Sequence, residues 1–301
     1  MIKGGQILKT MDWKDKKVLV SGSEGMIGKE LVEQLEELGA NIKKVDKQIM
    51  DEMDLRDFHC CLDICQDMDY VFHLAGIKGN PRMTKERPVD FMGPMLQFDT
   101  NMIIAAQEHG IKKFLYTSSI AVENPETDKY PALAKQTAET LIEAMRIQYP
   151  KGTKYCIVRP ANVYGRFDNF QNYDAMVITS LIRKAMNPME FAPHYFDVWG
   201  DGTQVRDFIN AKDVARGMIQ VMEGIDAYQK YPCNLCSGEA IRIKDIANLI
   251  SRYTNKTPVF DTSKPTGDKR RVMKINWDFK PEIDIETGIK EVINVQRQNS
   301  N

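Results

Sequence analysis

The chain's 301 residues are 43% hydrophobic and 28% charged, enough apolar content for a real core and unlike a disordered, collagen-like or disulfide-scaffold chain. Forty-one basic residues face 42 acidic ones, and a net charge of −1 gives no electrostatic footprint for nucleic acid. No apolar run nears the ~18 residues of a membrane span. The polar N-terminus, MIKGGQILKTMDWKDKK, lacks the apolar stretch of a secretory signal, so the six cysteines are expected as reduced thiols in the cytoplasm.

In chain order, Val18-Leu19-Val20 forms a short apolar run leading into Gly22-Ser23-Glu24-Gly25-Met26-Ile27-Gly28. A helix is predicted over Lys29–Leu38, with Leu31, Leu35 and Leu38 at helical spacing and Gly39 as its terminator. A second strand, Asn41–Val45, ends at Asp46. Strands over Tyr70–Leu74, Lys113–Thr117 and Tyr155–Val158 then alternate with helices over Phe98–His109 and Pro131–Gln148. That rhythm predicts an α/β fold, a doubly wound parallel sheet covered on both faces.

After Gly165 the rhythm loosens. A helix is predicted over Val214–Met222, a strand near Cys233–Leu235 and a helix over Ile243–Tyr253, followed by the basic stretch Lys264–Arg271. The expected division is a dinucleotide-binding Rossmann domain of residues 1–165 and 209–236, beside a smaller α/β substrate domain of residues 166–208 and 237–298. The tail Gln296–Asn301 is polar and expected to be disordered.

The glycine loop follows a strand and opens a helix, the setting in which such a loop cradles a pyrophosphate. Gly22 permits the tight turn, Gly25 lets backbone approach the anion, and Gly28 allows close helix–sheet packing, with the helix N-terminus offering free N–H groups. Asp46, 18 residues after Gly28, can accept hydrogen bonds from the adenosine ribose and would repel a 2′-phosphate, which favours NAD over NADP; Lys47 beside it pulls the other way. Asp54, in Asp54-Leu55-Arg56-Asp57, has two readings, an adenine clamp or a helix cap. The cysteines at 60, 61, 65, 233 and 236 are read as buried thiols, and no metal site is expected.

These residues, with Phe72-His73-Leu74-Ala75-Gly76, Thr117-Ser118-Ser119, Lys135 and Arg159-Pro160-Ala161-Asn162-Val163-Tyr164-Gly165, resemble the extended short-chain dehydrogenase/reductases, the NAD(P)-dependent nucleotide-sugar epimerases, dehydratases and reductases. The resemblance covers roughly residues 16 to 295. Asn162–Phe170, Val198–Gly202, Arg206-Asp207-Phe208 and Lys264-Pro265 with Arg270-Arg271 resemble its GDP-L-fucose synthase branch. The resemblance implies cofactor contacts from Gly22, Glu24, Gly25, Met26, Ile27 and Gly28, and from Asp46, Lys47, Asp54 and Leu55. Around the nicotinamide it implies Leu74, Ala75, Gly76, Thr117, Lys135 and Pro160. It assigns a GDP-sugar to Lys78, Ser119, Asn162, Lys184, Trp199, Arg206 and Arg271. His73 is expected to pack beside the cofactor.

The implied chemistry is hydride transfer at a sugar carbon, usually C4, served by Ser119, Lys135 and a tyrosine. The tyrosine is displaced: a Tyr-x-x-x-Lys pattern requires it at 131, where this chain has Pro131, with Tyr130 one residue earlier. Positions four apart nearly stack on a helix, whereas five apart diverge by about 140°, and a residue before proline is driven toward extended backbone. Tyr130 is therefore expected off the helix, serving from there or replaced by an ordered water. The Cys and His with which the branch epimerises its keto-sugar align with Ala121 and Met176, so 3,5-epimerase activity is expected to be absent. The expected activity is NAD-dependent oxidation or reduction at one carbon of a GDP-hexose or GDP-heptose. The alternatives are a GDP-4-keto-sugar reductase/epimerase and a non-catalytic dinucleotide-binding sensor. The resemblance also implies a homodimer or higher homo-oligomer pairing Phe98–His109 and Ala132–Gln148 through Ile103, Ile104, Leu141, Ile142 and Met145.

Overall fold

The computed structural model describes residues 11–47, 54–77, 86–123, 125–126, 128–170, 176–187, 193–264 and 266–299. Along the chain lie β1 (Lys17–Ser21), α1 (Met26–Glu37), β2 (Asn41–Val45), α2 (Phe58–Cys65), β3 (Tyr70–His73), α3 (Pro88–Glu108), β4 (Lys113–Thr117), a 3₁₀ turn (Ile120–Glu123), α4 (Lys129–Gln148) and β5 (Lys154–Pro160). There follow β6 (Asn162–Tyr164), α5 (Val177–Met186), β7 (Tyr195–Trp199), β8 (Val205–Arg206), β9 (Phe208–Asn210), α6 (Ala211–Glu223) and α7 (Ile225–Tyr228). The last elements are β10 (Cys233–Leu235), β11 (Ile241–Arg242), α8 (Ile243–Thr254), β12 (Thr257–Asp261), β13 (Arg270–Arg271) and α9 (Ile285–Asn299).

Strand alternation builds two apolar layers. Val18, Val20, Phe72, Leu115 and Val158 turn to one face and meet Leu31 and Leu35 of α1 and Val214 and Met218 of α6. Leu19, Val71, Phe114 and Ile157 turn to the other and meet Ile64, Met102, Ile103 and Ile142 of α2, α3 and α4. A sheet buried on both faces is what parallel pairing requires, and the six strands run β10-β5-β4-β3-β1-β2, all parallel. This is the expected Rossmann-like α/β arrangement. Strand order reverses beside β1, whose neighbours are β2 on one side and β3 on the other, and a crevice at such a switch point is where open α/β sheets bind ligands. A third core gathers Ile178 and Ile182 of α5, Phe196 and Val198 of β7, Ile246 and Ile250 of α8 and Ile289 and Ile293 of α9.

Several boundaries move. α3 begins at Pro88, ten residues before the expected Phe98, with proline at its first position, where a missing N–H loses nothing. The tail does not fray at Gln296: α9 continues to Asn299, anchored by buried Ile289, Val292 and Ile293, the three- and four-residue spacing of a core-facing helix stripe. Tyr130 lies inside α4, not before it. The first turn owes no intrahelical N–H bonds, so Pro131 fits at its third position and the preceding residue stays helical. The face expected to meet a partner is largely used internally: Ile103 and Ile142 are fully buried, Met145 is buried, and Ile104 and Leu141 pack against the same core. The exposed large apolar residues of α3 and α4 are Val89, Leu133 and Ile147. All six cysteines are free, and Cys60, expected as a buried thiol, is only half-buried because it lies off the core face of α2; burial pushes Cys61, Cys65, Cys233 and Cys236 up to about 12.

Candidate active site

The glycines after β1 do three different jobs. Gly22 has φ +73°, and a Cβ there would lie 2.8 Å from the Ala75 nitrogen, so the loop after β1 and the loop after β3 touch at backbone level. A Cβ on Gly28 would come within 2.1 Å of the Gly22 carbonyl oxygen. Its close approach is therefore to the loop itself, not to the sheet as the sequence pattern suggested. Gly25 is different: a Cβ there meets nothing nearer than the Gly22 oxygen at 3.2 Å. It caps α1 with no side-chain hydrogen bond, leaving the helix N-terminus open to an anion.

Asp46 stands beside this loop, its Oδ2 accepting from the Glu24 backbone N–H at 3.2 Å, while Lys47 is exposed. Glu24 pairs with Lys29 at 3.4 Å, and Met26 and Ile27 open α1. Of the two readings of Asp54, the cap is wrong. Asp57 caps α2 by accepting from His59 N at 2.8 Å, and Asp54 is gripped by the Arg56 guanidinium, which holds its carboxyl below the usual range. Asn101 of α3 donates to the carbonyls of Leu55 and Arg56 and fixes that turn.

Behind the loop runs a buried polar chain. Ser21, ending β1, registers opposite His73, ending β3, and Ser21 Oγ lies 2.7 Å from His73 Nδ1. His73 Nε2 lies 3.0 Å from Asp99 Oδ1. The Tyr116 hydroxyl donates to Asp99 Oδ2 at 2.5 Å, and Lys135 Nζ reaches the same oxygen at 3.4 Å. The ammonium also stands 4.7 Å from the centre of the Tyr116 ring. Burial works against charge on Asp99, but Lys135, His73 and Tyr116 together hold its carboxyl below the ordinary range. Burial and the Asp99 charge push Tyr116 well above the ordinary phenol range, so Tyr116 stays a phenol.

Ser119, two residues past the end of β4, is half-buried, and its Oγ accepts from Ala121 N at 3.1 Å. Its proton is thereby left to donate outward. Tyr130 is half-buried in the first turn of α4, five residues from Lys135 and so about 140° around the helix; its ring centre lies 5.8 Å from Lys129 Nζ. Leu74, Ala75 and Gly76 follow β3, and Ala75 N donates to Ser21 Oγ at 3.3 Å. Thr117 and Pro160 end β4 and β5. Ser23 Oγ, Thr117 Oγ1 and Ser118 Oγ, all at this sheet edge, are buried without a hydrogen-bond partner among the described residues. Orphaned hydroxyls beside an open helix N-terminus and a carboxylate on the second strand fit the polar groups of a dinucleotide.

Across the crevice, Asn162 Nδ2 donates to the Asp207 carbonyl at 2.8 Å. Arg206 donates to the carbonyls of Val205 and Asp268; burial and nearby Arg271 lower its pKa. Arg271 binds two carboxylates, Asp128 and Asp268, each at 2.6 Å. The first bond ties β13 to the residue that precedes α4. Lys184 pairs with Asp197 at 2.7 Å and lies over the exposed Trp199 ring, whose Nε1 donates to the same carboxylate. Lys78 lies outside the described residues.

The chain-order reading missed Asp99 and Tyr116. A signal was present: Asp99 precedes Met102, Ile103 and Ala106 by three, four and seven residues, which puts it on the core stripe of its helix. A carboxylate there demands a cation. Asp128, Asp197 and Asp268, which occupy the cations across the crevice, were missed too; only Asp268, three residues before Arg271, has its cation nearby in the sequence.

Comparison with known proteins places the chain. It belongs to the NAD dependent epimerase/dehydratase family, whose model matches residues 18–235. The GDP-L-fucose synthase of Escherichia coli K12 is 28% identical over 308 residues, covering 91% of this chain and 94% of the relative. Among solved structures, a GDP-L-fucose synthetase from Naegleria fowleri bound to NADP superposes with TM-score 0.81 at 24% identity, covering 95% and 94% of the two chains. A GDP-6-OMe-4-keto-L-xylo-heptose reductase from C. jejuni does so at 0.83 and 23%, covering 99% and 100%.

Proposed function

We propose that the chain is an NAD-dependent oxidoreductase of a GDP-linked hexose or heptose, transferring hydride at C4 between the carbinol and the 4-ketone, without 3,5-epimerase activity. The observation that carries the reading is the open N-terminus of α1 with Asp46 beside its loop, in a chain that has alanine at 121 and methionine at 176. Ala121 N donates to Ser119 Oγ and Met176 precedes α5; by the family resemblance the enolising Cys and His align with these two residues. Neither can move a proton.

The pyrophosphate would lie on Gly22, Gly25 and the backbone of Glu24, Met26 and Ile27. Asp46 would take the adenosine ribose hydroxyls, with Lys47 alongside, and Asp54 and Leu55 would border the adenine. Gly28 shapes the loop. Leu74, Ala75, Gly76, Thr117 and Pro160 would line the nicotinamide side, and Lys135 would hold its ribose. When bound, the nicotinamide supplies the hydride acceptor or donor. Ser119 donates to the sugar oxygen and orients it. The hydroxyl proton leaves through Tyr130 or an ordered water, since hydride departs a carbinol only as that proton is taken; Tyr130→Phe separates the two routes. Asn162, Lys184, Trp199, Arg206 and Arg271 would take the GDP moiety, the cations exchanging their present carboxylates for the diphosphate. Lys78 is assigned to the sugar. The exposed apolar residues of α3 and α4 support a homo-oligomer, and the reading places the enzyme in the cytoplasm.

The test is incubation with NAD⁺ or NADP⁺ and GDP-mannose or a GDP-heptose. Absorbance is followed at the wavelength of reduced nicotinamide, and sugar products by mass spectrometry. Keto-sugar with NADH, even for one turnover, is expected; neither product with any donor overturns the proposal. The E. coli and C. jejuni relatives are named for synthase and reductase reactions, which favours reduction of a 4-keto-sugar as a second reading. Solvent deuterium at C3 or C5 would establish its epimerising form. Pro131 favours a third, non-catalytic reading, under which Lys135→Ala leaves function intact.

A further inference from the structure

We propose that Asp99 is a positioning residue: from α3 it fixes the Lys135 ammonium where that group meets the nicotinamide-side ribose, and through His73 and Ser21 it ties that placement to the pyrophosphate loop. The inference rests on the dinucleotide reading of the site and adds to it a residue that the hydride chemistry does not itself touch.

Lys135 and Asp99 are too deep to be left to solvent, their side chains being 10% and 1% exposed. A charge so placed persists only when paired. Position 131, one helical turn before Lys135, carries a proline and offers no polar side chain to the ammonium. Among the described residues, the carboxylate paired with Lys135 is Asp99. The contact uses one of the ammonium's three donors, and the Tyr116 ring lies against the same group. Carboxylate and ring face thus form a seat, with the remaining donors available to ribose hydroxyls.

The seat is itself anchored. Asp99 can only accept, so the hydrogen bond from His73 places the proton on Nε2. In the neutral imidazole Nδ1 then accepts from the Ser21 hydroxyl. Ser21 Oγ in turn accepts from Ala75 N. Every bond points one way, from the backbone of the loop after β3 through Ser21 and His73 to Asp99. Ser21 is covalently joined to Gly22, whose turn shapes the pyrophosphate loop. The two ends of the cofactor would therefore be registered by one buried chain rather than by two independent sites.

The experiment compares NAD⁺ with ADP, which carries the adenosine and both phosphates but no second ribose, in calorimetric titrations of the purified full chain. Asp99→Asn is expected to weaken NAD⁺ at least tenfold while ADP binds within twofold of the parent, and Lys135→Met to do the same. The double variant should lose no more than either single one. Loss of both ligands in parallel, or an unchanged NAD⁺ to ADP ratio in Asp99→Asn beside a lost ratio in Lys135→Met, overturns the inference and leaves the proposed function standing. A parent chain that binds neither ligand overturns the proposed function itself and the inference with it. Should Asp99→Asn not fold, Asp99→Glu keeps the charge and displaces it. A fivefold or greater fall in the ratio is expected there, and an unchanged ratio overturns the assignment.

Discussion

Asp99 and Asp207 are both buried, at 1% and 0% exposure, yet the protein treats the two carboxylates in opposite ways. Asp99 lies between α3, β3, β4 and α4 and faces Lys135, His73 and Tyr116, and its carboxyl is held below the ordinary range. Asp207 lies between β8 and β9 and is raised by burial, opposed by neutral donors: Ser237 through Oγ and N, then Gly238 N and Met273 N. Its backbone carbonyl accepts from Asn162 N and its N–H donates to the Arg271 carbonyl. One carboxylate is neutralised by a cation and the other by dipoles. A buried charge with a counter-charge pointed at the crevice is equipment for a ligand, whereas one satisfied only by backbone and hydroxyl groups is a joint.

The largest expected effect breaks the comparison if it is absent. Lys135→Met should lower single-turnover hydride transfer by about 10²–10⁴-fold, the usual size of a lost acid–base or charge contribution; it also strands the buried Asp99 carboxylate and lowers stability, so the rate is read at a temperature where the variant is fully folded. An unimpaired variant would reduce Asp99 to a second joint. Next comes stability, read by urea unfolding at neutral pH. Asp99→Asn strands the buried ammonium and should cost about 3–5 kcal/mol, the range for breaking a buried pair. Asp207→Asn keeps one acceptor oxygen but turns an amide toward Gly238 N–H, and should cost about 1–3 kcal/mol, the penalty of one unsatisfied group. Equal costs would erase the distinction.

These two sites also show what the sequence made legible. The glycine loop, Asp46 and the alternating strands are local patterns, readable because turn, helix start and ligand contact fall within a few residues. Asp99 was half-legible: its helical register marks a buried carboxylate, but its cation is 36 residues further on and becomes its partner only when α4 packs on α3. Asp207 was visible within Arg206-Asp207-Phe208, yet its donors come from Ser237 and Gly238, thirty residues later, and no periodicity announces them. Tyr130 stays helical because the extended-backbone preference of a residue before proline is weakest in the first helical turn, which is where Pro131 falls. The α9 end was misread because polar residues after Ile293 looked like a tail, although buried Ile289, Val292 and Ile293 already carried the helix.

A pH series sharpens the contrast through its signs. The folded pKa of Asp99 lies below its ordinary 3.8, so its stabilisation is present above that value and is lost as pH falls through the lower folded one. The folded pKa of Asp207 lies above 3.8, so the stability it contributes is full below 3.8 and is lost as pH rises through the raised value. Denaturant midpoints measured from pH 2 to pH 7 should therefore respond on opposite limbs. Asp99→Asn should flatten the acid limb, and Asp207→Asn should remove a decline above pH 4. A single shared limb would contradict the assignment of charges.

The smallest effect is the most diagnostic of the joint. Ser237 Oγ donates to Asp207 Oδ1 at 2.7 Å and accepts from Glu239 N at 3.1 Å, while Ser237 N and Gly238 N donate to the same carboxylate at 2.9 and 3.0 Å. Ser237→Ala removes the hydroxyl's bond to Asp207 and the one from Glu239 N, whose N–H is exposed and turns to water; both backbone donors stay, so the expected loss is about 1 kcal/mol, one net buried hydrogen bond. Ser237 is also the leading opponent of the burial that raises Asp207. Its removal should carry the Asp207 carboxyl higher still and move the upper limb of the stability curve to higher pH. The acid limb should not move, because Asp99 shares no partner with Ser237. A substitution that shifted both limbs would mean that the two carboxylates sense one another across the crevice, and the separation of equipment from joint would not hold.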